Sequence, residues 1–227
     1  MMDNMDIILD TLSVCPIFFG LNRESISTIL EQIEYKTKRY EKNDIVYHAN
    51  EYSLYMCIII SGYVEVKKIL TSGNTVSVFH RNKGELFGGA IVFSSVSSYP
   101  YDVIAKEKSE ILFIHKYSIL ESLCKEPLIV SNILNLFSNR VLEYEKRLEL
   151  YSYSSIMKKI AFSLLYEFTI KNDTVILPFS KKTWAEHLNV SRPSLCRELK
   201  ILCDKNILKV NDRTIIIIKK DVLENLL

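Results

Sequence analysis

The residues of this chain best suited to grip a polyanion lie in one stretch, Lys181 to Lys200, reading KKTWAEHLNVSRPSLCRELK. Ser191, Arg192, Ser194 and Arg197 crowd the first two turns of a helix that the pattern predicts, and Lys200 follows. Guanidinium groups pair with guanine edges or phosphate oxygens, while hydroxyl and ammonium groups hold the phosphate backbone. That chemistry suits the end of a recognition helix that meets base edges in a DNA major groove. Lys181, Lys182 and Thr183 ahead of it and Arg213 beyond it are the other expected contacts.

No second constellation of this kind stands out. The sequence has no phosphate loop of the GxxxxGKS type, no paired nucleophile and base, and no metal-ligand spacing, so neither an enzyme nor a metal site is expected. Five cysteines, Cys15, Cys57, Cys124, Cys196 and Cys203, are an odd number without a CxxC pair, as in a reduced intracellular protein. Cys196 sits beside Arg197, and a neighbouring cation favours the thiolate, which leaves a thiol redox switch as an alternative mode of control. His48, His80, His115 and His187 are scattered and read as surface or satisfied histidines.

The apolar residues of the basic stretch indicate what positions it. Trp184, Leu188, Val190, Leu195 and Leu199, with the small Ala185, would fill the inside corner of two short helices meeting at an Asn189-Val190 turn. Ser191 is placed to cap the second helix, and Pro193 falls in its first turn, where amides lack helical partners. Charge divides in the same way. Residues 152 to 227 carry 13 Lys and Arg against 8 Asp and Glu, leaving 16 against 19 for residues 1 to 151. The anionic partner is therefore expected at the C-terminal end.

Hydrophobic residues make up 48% of the 227, ample for packed cores. No apolar run reaches the roughly eighteen residues of a membrane span, and the start, MMDNMDIILD, is acidic where a signal peptide would be basic. A cytoplasmic protein without a membrane partner is expected. Five of the six glycines, Gly62, Gly73, Gly84, Gly88 and Gly89, cluster in the middle of the chain, which marks it as turn-rich. Residues 5 to 35 predict two short helices broken at Pro16 to Gly20, with Ile26, Ile29, Leu30 and Ile33 on one face.

From Tyr35 to His115 the pattern turns to short β-rich runs: IVYHA, LYMCIIISGYVEV, TVSVFH, AIVF, DVIA and EILFIH. Turn signals at Glu41 to Asp44, Ser72 to Asn74 and Asn82 to Gly84 separate them, which predicts a sandwich or small barrel. Beyond Pro127, Val130, Leu134, Phe137, Val141, Tyr144, Leu148 and Tyr151 alternate at spacings of four and three, a heptad seam. Such a stripe can pack on its own domain; a coiled-coil dimer is favoured because a helix-turn-helix usually reads paired half-sites. Residues 154 to 170 predict a further helix with Ile156, Ile160, Leu164 and Phe168 at intervals of four. ILKVNDRTIIIIKK reads as two strands about an Asn211-Asp212 turn, a wing carrying Arg213.

This order of parts resembles the CRP/FNR superfamily of bacterial transcription regulators. The likeness rests on SRPSLCREL at Ser191 to Leu199, similar to the family's recognition helix, and on GELFGGAIVF at Gly84 to Phe93, similar to the cyclic-nucleotide-binding turn of its cyclic-AMP receptors. It implies an α+β fold: an N-terminal cyclic-nucleotide-binding-like β-roll, a double-stranded jelly roll, over residues 1–125, a dimerisation helix over 126–151 and a winged helix-turn-helix over 152–227. It also implies a homodimer on a pseudo-palindromic DNA operator, with RNA polymerase as a further partner.

The implied effector pocket comprises Gly84, Glu85, Phe87, Gly88, Gly89, Tyr99, Pro100 and Tyr101. At the family's carboxylate position this chain has Gly89, and at its arginine and serine positions Tyr99 and Pro100. A buried phosphate without its arginine forfeits about 1.5 to 3 kcal/mol per charge-assisted bond, so cyclic AMP is not expected to be the signal. Tyr99 to Tyr101 then either line a pocket for an unidentified small-molecule effector or close it. Only Cys15 precedes Cys57, so the family's iron-sulfur centre is not expected, nor is any other resident cofactor. Pro193 replaces a frequent glutamate of the recognition helix, so the operator of the cyclic-AMP receptors does not carry over.

Overall fold

The computed structural model describes residues 4–69 and 75–227 and divides into two compact units, Met1–Ser138 and Asn139–Leu227. The turn expected at Ser72 to Asn74, with Gly73, lies outside the described residues.

In the first unit, α1 (Asn4–Ser13) and α2 (Arg23–Glu31) flank a 3-10 turn at Pro16–Phe18. Eight strands follow: β1 (Tyr35–Tyr40), β2 (Ile45–Tyr47), β3 (Tyr55–Ser61), β4 (Tyr63–Ile69), β5 (Thr75–Asn82), β6 (Leu86–Phe87), β7 (Asp102–Ala105) and β8 (Ser109–His115). A short helix α3 (Gly89–Phe93) sits between β6 and β7. The strands form two four-stranded antiparallel sheets, ordered β1-β8-β3-β6 and β2-β7-β4-β5, the two layers of a jelly roll.

The run MCIII reads as continuously apolar because both faces of β3 are covered. Met56, Ile58 and Ile60 pack with α1, α2 and their neighbours, while Cys57 and Ile59 turn into the core between the sheets. On β8, Leu112 and Ile114 take the first core and Ile111 and Phe113 the second. Gly62 breaks the long run LYMCIIISGYVEV, because there the chain leaves one sheet for the other. Its φ is +75°, and a Cβ would come within 2.3 Å of Ser109 Oγ, so a side chain is excluded by both strain and space.

Two details of the first unit differ from the sequence pattern. AIVF is helical, not a strand: Gly88 adopts φ +79°, and the Val92 amide returns to the Gly88 carbonyl at 2.9 Å. Four apolar residues in a row carry no period that separates a strand from one helical turn. Conversely, YKTKRY forms β1 although it is highly charged, because as an edge strand it exposes Lys36, Lys38 and Arg39 to water.

A short helix α4 (Lys116–Glu121) leads to α5, which runs from Pro127 to Ser152. In the second unit, α6 (Ile156–Phe162) widens into a π-helical turn at Ser163–Glu167. An apolar interval of four drifts by about 40° per step on an ideal α-helix, and a wider turn holds such a stripe in line. Strand β9 (Thr174–Ile176) follows, then α7 (Lys181–His187), α8 (Arg192–Asp204), the hairpin β10 (Leu208–Asn211) and β11 (Thr214–Ile217), and α9 (Lys220–Glu224). β9 joins the hairpin edge to make a three-stranded sheet. The hairpin turn is Asp212-Arg213, one residue later than the pattern suggested, since pairing Leu208 with Ile217 and Val210 with Ile215 puts the apolar residues on one face.

Candidate functional site

The helix-turn-helix is assembled on a buried tryptophan. Trp184 is fully buried with Ala185, Leu188, Leu195 and Leu199, and its indole N–H donates to the buried Ser163 hydroxyl at 3.0 Å. The turn between α7 and α8 depends on Asn189, which adopts φ +53°, and the Val190 amide donates to the Ala185 carbonyl at 2.9 Å. Ser191 caps α8 by accepting from the Ser194 amide at 3.2 Å, and its hydroxyl donates to the Ser194 hydroxyl at 2.8 Å. Pro193 falls within the first turn.

With the apolar side of α8 consumed, its other side is bare. Ser191, Arg192, Cys196, Arg197 and Lys200 are all exposed, and Ser194 is half-buried. Among the described residues Arg197 has no ion pair closer than a long 3.9 Å contact to Glu198, so its guanidinium faces solvent. Lys182 and Thr183 are exposed at the start of α7, Lys181 is half-buried, and Arg213 is exposed at the wing tip. Ser180 was not legible as a site residue: it caps α7, accepting from the Thr183 amide at 3.2 Å and meeting the Thr183 hydroxyl at 3.1 Å. Its signal is a serine three residues before Thr183, the spacing of an N-cap.

The π turn braces α7 from behind. His187 Nε2 meets the Glu167 carboxylate at 2.9 Å, and Lys159 donates to the Leu188 carbonyl at 3.2 Å. Burial acts to raise the Glu167 carboxyl, but hydrogen bonds from His187 and Ser163, with the nearby His187 and Arg147 charges, bring it below its ordinary value.

In the first unit the residues expected to form an effector pocket meet, but around a side chain. Tyr99 is only 4% exposed, and its backbone is tied on both sides, to the Glu51 carbonyl at 3.0 Å and the Asn50 amide at 2.6 Å. Its ring stacks on Tyr47 and its hydroxyl abuts Gly88, where a Cβ would come within 2.4 Å. That hydroxyl approaches the Cys57 thiol without a bond of normal geometry and is left without a partner. Of the two readings of Tyr99 to Tyr101, the geometry favours closure.

The other expected pocket residues surround this plug. Phe87 is buried in the inter-sheet core, Gly84 and Gly89 are buried, Gly88 and Tyr101 are half-buried, and Pro100 is exposed. The Glu85 carboxylate is turned to the Asn82 amide at 2.6 Å. Behind Gly89 stands α5: a Cβ there would lie 3.3 Å from the Phe137 ring. Tyr47, absent from the residues expected to form a pocket, supplies the ring on which Tyr99 packs.

Along α5, Ile129 is buried and Ile133 and Leu136 pack on the helical core of the first unit. Leu134, Val141, Tyr144, Leu148 and Tyr151 of the expected seam are exposed, Val130 and Phe137 half-buried. Cys15 and Cys57 are buried, and desolvation pushes both thiols up to about 12, which removes them as ready thiolates. Cys124 and Cys196 are exposed. Among the described residues no group of His, Cys, Asp or Glu is placed to hold a metal ion.

The domain family described as the cyclic nucleotide-binding domain matches residues 37–126, and the Crp-like helix-turn-helix domain matches residues 158–226. The chain is 20% identical over 211 residues to the cyclic AMP receptor protein of Thermus thermophilus, covering 93% of this chain and 96% of that protein. The crystal structure of the Thermus thermophilus catabolite activator protein is similar in fold, with a TM-score of 0.55 at 20% identity over 93% of this chain and 97% of that one. DNR from Pseudomonas aeruginosa is similar too, with a TM-score of 0.51 at 20% identity over 99% of each chain.

Proposed function

The chain belongs to the CRP/FNR family of transcription regulators, and on that premise we propose that it acts as a homodimer on a pseudo-palindromic operator, under a signal other than cyclic AMP. Its parts are a sensor of the cyclic-nucleotide-binding type and a helix-turn-helix DNA-binding domain.

The observation that carries the dimer is the division of α5 into two kinds of apolar surface. Ile129, Ile133 and Leu136 are spent on the sensor's own core, whereas Leu134, Val141, Tyr144, Leu148 and Tyr151 stay exposed at heptad spacing. A second copy of the helix offers the same row, and knobs-into-holes packing would bury both. Arg192, Arg197 and Lys200 on α8 then read base edges and phosphates, with Lys181, Lys182, Thr183 and Arg213 on the flanking backbone.

Against cyclic AMP stand the missing arginine and carboxylate and the ring of Tyr99 beside the Gly88-Gly89 turn. A change at that turn reaches α5 where the Phe137 ring stands behind Gly89, 3.3 Å from where a Cβ would lie, and alters the seam that sets the two recognition helices. Promoter DNA brings RNA polymerase as a partner, and the cytoplasm is the corresponding location; among the described residues no helix is long and apolar enough to cross a membrane. Genome-wide enrichment of bound DNA tests the reading. It predicts a set of symmetric upstream sites lost in an Arg192→Ala/Arg197→Ala variant, and equal recovery of all sequences by both proteins would refute it.

A further inference from the structure

While Tyr99 fills the space beside the phosphate-type turn, the roll retains an open cavity of about 260 Å³ at its β1 and β2 edges. It is walled by Tyr47, Tyr55 and Phe113, with Lys36, Lys38 and His115 among its polar groups, and it shares no residue with Gly84–Gly89 or Tyr99–Tyr101. The volume is slightly below the usual range for a ligand site, about 300 to 1,000 Å³. It suits a single ring rather than a nucleotide.

The charge in this cavity is mostly positive, two lysines against the single carboxylate of Glu51. Among the described residues neither Lys36 nor Lys38 has an ion pair. Lys36 instead rests its ammonium 3.9 Å from the centre of the Tyr55 ring. Glu51, the one carboxylate in the lining, is engaged by the His48 amide at 2.8 Å. His115 Nδ1 accepts from the Tyr117 amide at 3.3 Å, so a neutral ring presents Nε2–H as a donor. Two ammonium groups without a carboxylate partner, one of them resting on the Tyr55 ring, and a histidine ring donor beside aromatic walls are complementary to a small planar anion, whose ring packs against the aromatic side chains while its carboxylate meets the lysines.

We propose that this cavity binds a small aromatic carboxylate, and that Tyr47 reports its occupancy to the sensor turn. Tyr47 forms a wall of the cavity with its buried ring and stacks on Tyr99, whose hydroxyl abuts Gly88, and beside the next residue, Gly89, the Phe137 ring of α5 stands 3.3 Å from where a Cβ would lie. This deepens the proposed function by naming a ligand class and an alternative place for the signal to enter, and it rests on the reading of α5 as the helix that carries the signal.

Isothermal titration of the full chain with benzoate tests the site, with benzamide, inorganic phosphate and a Lys36→Glu/Lys38→Glu variant as comparisons. Saturable binding of one benzoate per chain is expected, weakened tenfold or more with benzamide, with phosphate and in the charge-reversed variant. Both lysines are exposed, so that variant should melt as the parent does. No benzoate binding at millimolar concentration, or equal binding of benzamide or phosphate, or an unchanged affinity in the variant, would overturn the site. An Arg192→Ala/Arg197→Ala protein should bind benzoate as the parent does, which separates a failure of DNA reading from a failure of this pocket. If the pocket is coupled as proposed, benzoate changes operator affinity in the parent and not in Lys36→Glu/Lys38→Glu; an operator affinity indifferent to saturating benzoate would overturn the coupling.

Discussion

Tyr99 lies face to face with Tyr47, ring centroids 4.1 Å apart and planes 19° from parallel. Burial and the neighbouring Cys57 and Tyr47 push the Tyr99 hydroxyl well above the ordinary phenol range, and the same burial leaves it without a hydrogen-bond partner. The ring therefore holds its place by packing, and the hydroxyl is a cost carried within the sensor. A buried polar group left unpaired costs about 1 to 3 kcal/mol.

Tyr99→Phe should accordingly be neutral or stabilising by up to about 1 kcal/mol, read as the midpoint of urea unfolding. Tyr99→Ala should cost about 3 to 5 kcal/mol, as expected for an excavated aromatic. Neither variant should gain cyclic-AMP binding by calorimetry, because no arginine replaces the ring. A Phe variant less stable than the parent by more than about 1 kcal/mol would mean that the hydroxyl is bonded after all.

On the recognition helix, Arg197→Ala should lose about 1 to 3 kcal/mol on the specific operator and little on random duplex. Lys182→Ala, at the start of α7, should weaken both alike and reduce the salt slope by about one unit. Fluorescence anisotropy on the two duplexes at several salt concentrations distinguishes these outcomes. Equal losses for Arg197→Ala on both would remove its base-reading role.

Leu148 is 70% exposed in the single chain, so Leu148→Glu should leave the fold of each protomer intact. Burying a leucine contributes about 1.5 to 3 kcal/mol, and two copies are lost per dimer, so association should weaken by roughly a hundredfold or more. Sedimentation equilibrium reads the change directly. An unaltered dimer would place the interface elsewhere.

Acid should loosen the second unit through Glu167. Its folded-state pKa lies below the ordinary 4.5, so its contribution is complete above the unfolded value and is lost as pH falls through the folded one. Glu167→Gln should lower the melting temperature at neutral pH and flatten the decline as the pH falls through the folded-state value of that carboxyl. A parent and variant with parallel melting curves across that range would show the His187 contact to be energetically silent.

How far these features were legible in the sequence depended on whether they are local. The cap at Ser191, the apolar corner around Trp184 and the heptad spacing of α5 are fixed by neighbours a few positions apart, and the chain displays them openly. α3 was hidden because AIVF has no period, and β1 because its edge position tolerates charge. The stacking of Tyr99 on Tyr47 joins residues far apart in sequence through strand pairing and loop contacts, and no spacing rule anticipates it. The same holds for Phe137, which reads as a seam residue but also backs Gly89.

The central claim, a dimer that reads symmetric DNA, is tested most directly by selecting bound sequences from a random duplex pool with the full chain and counting the chains on the selected site. The account predicts a two-fold symmetric motif with half-sites about one helical turn apart, occupied by two chains. An asymmetric site filled by one chain, or no enrichment at all, would contradict it.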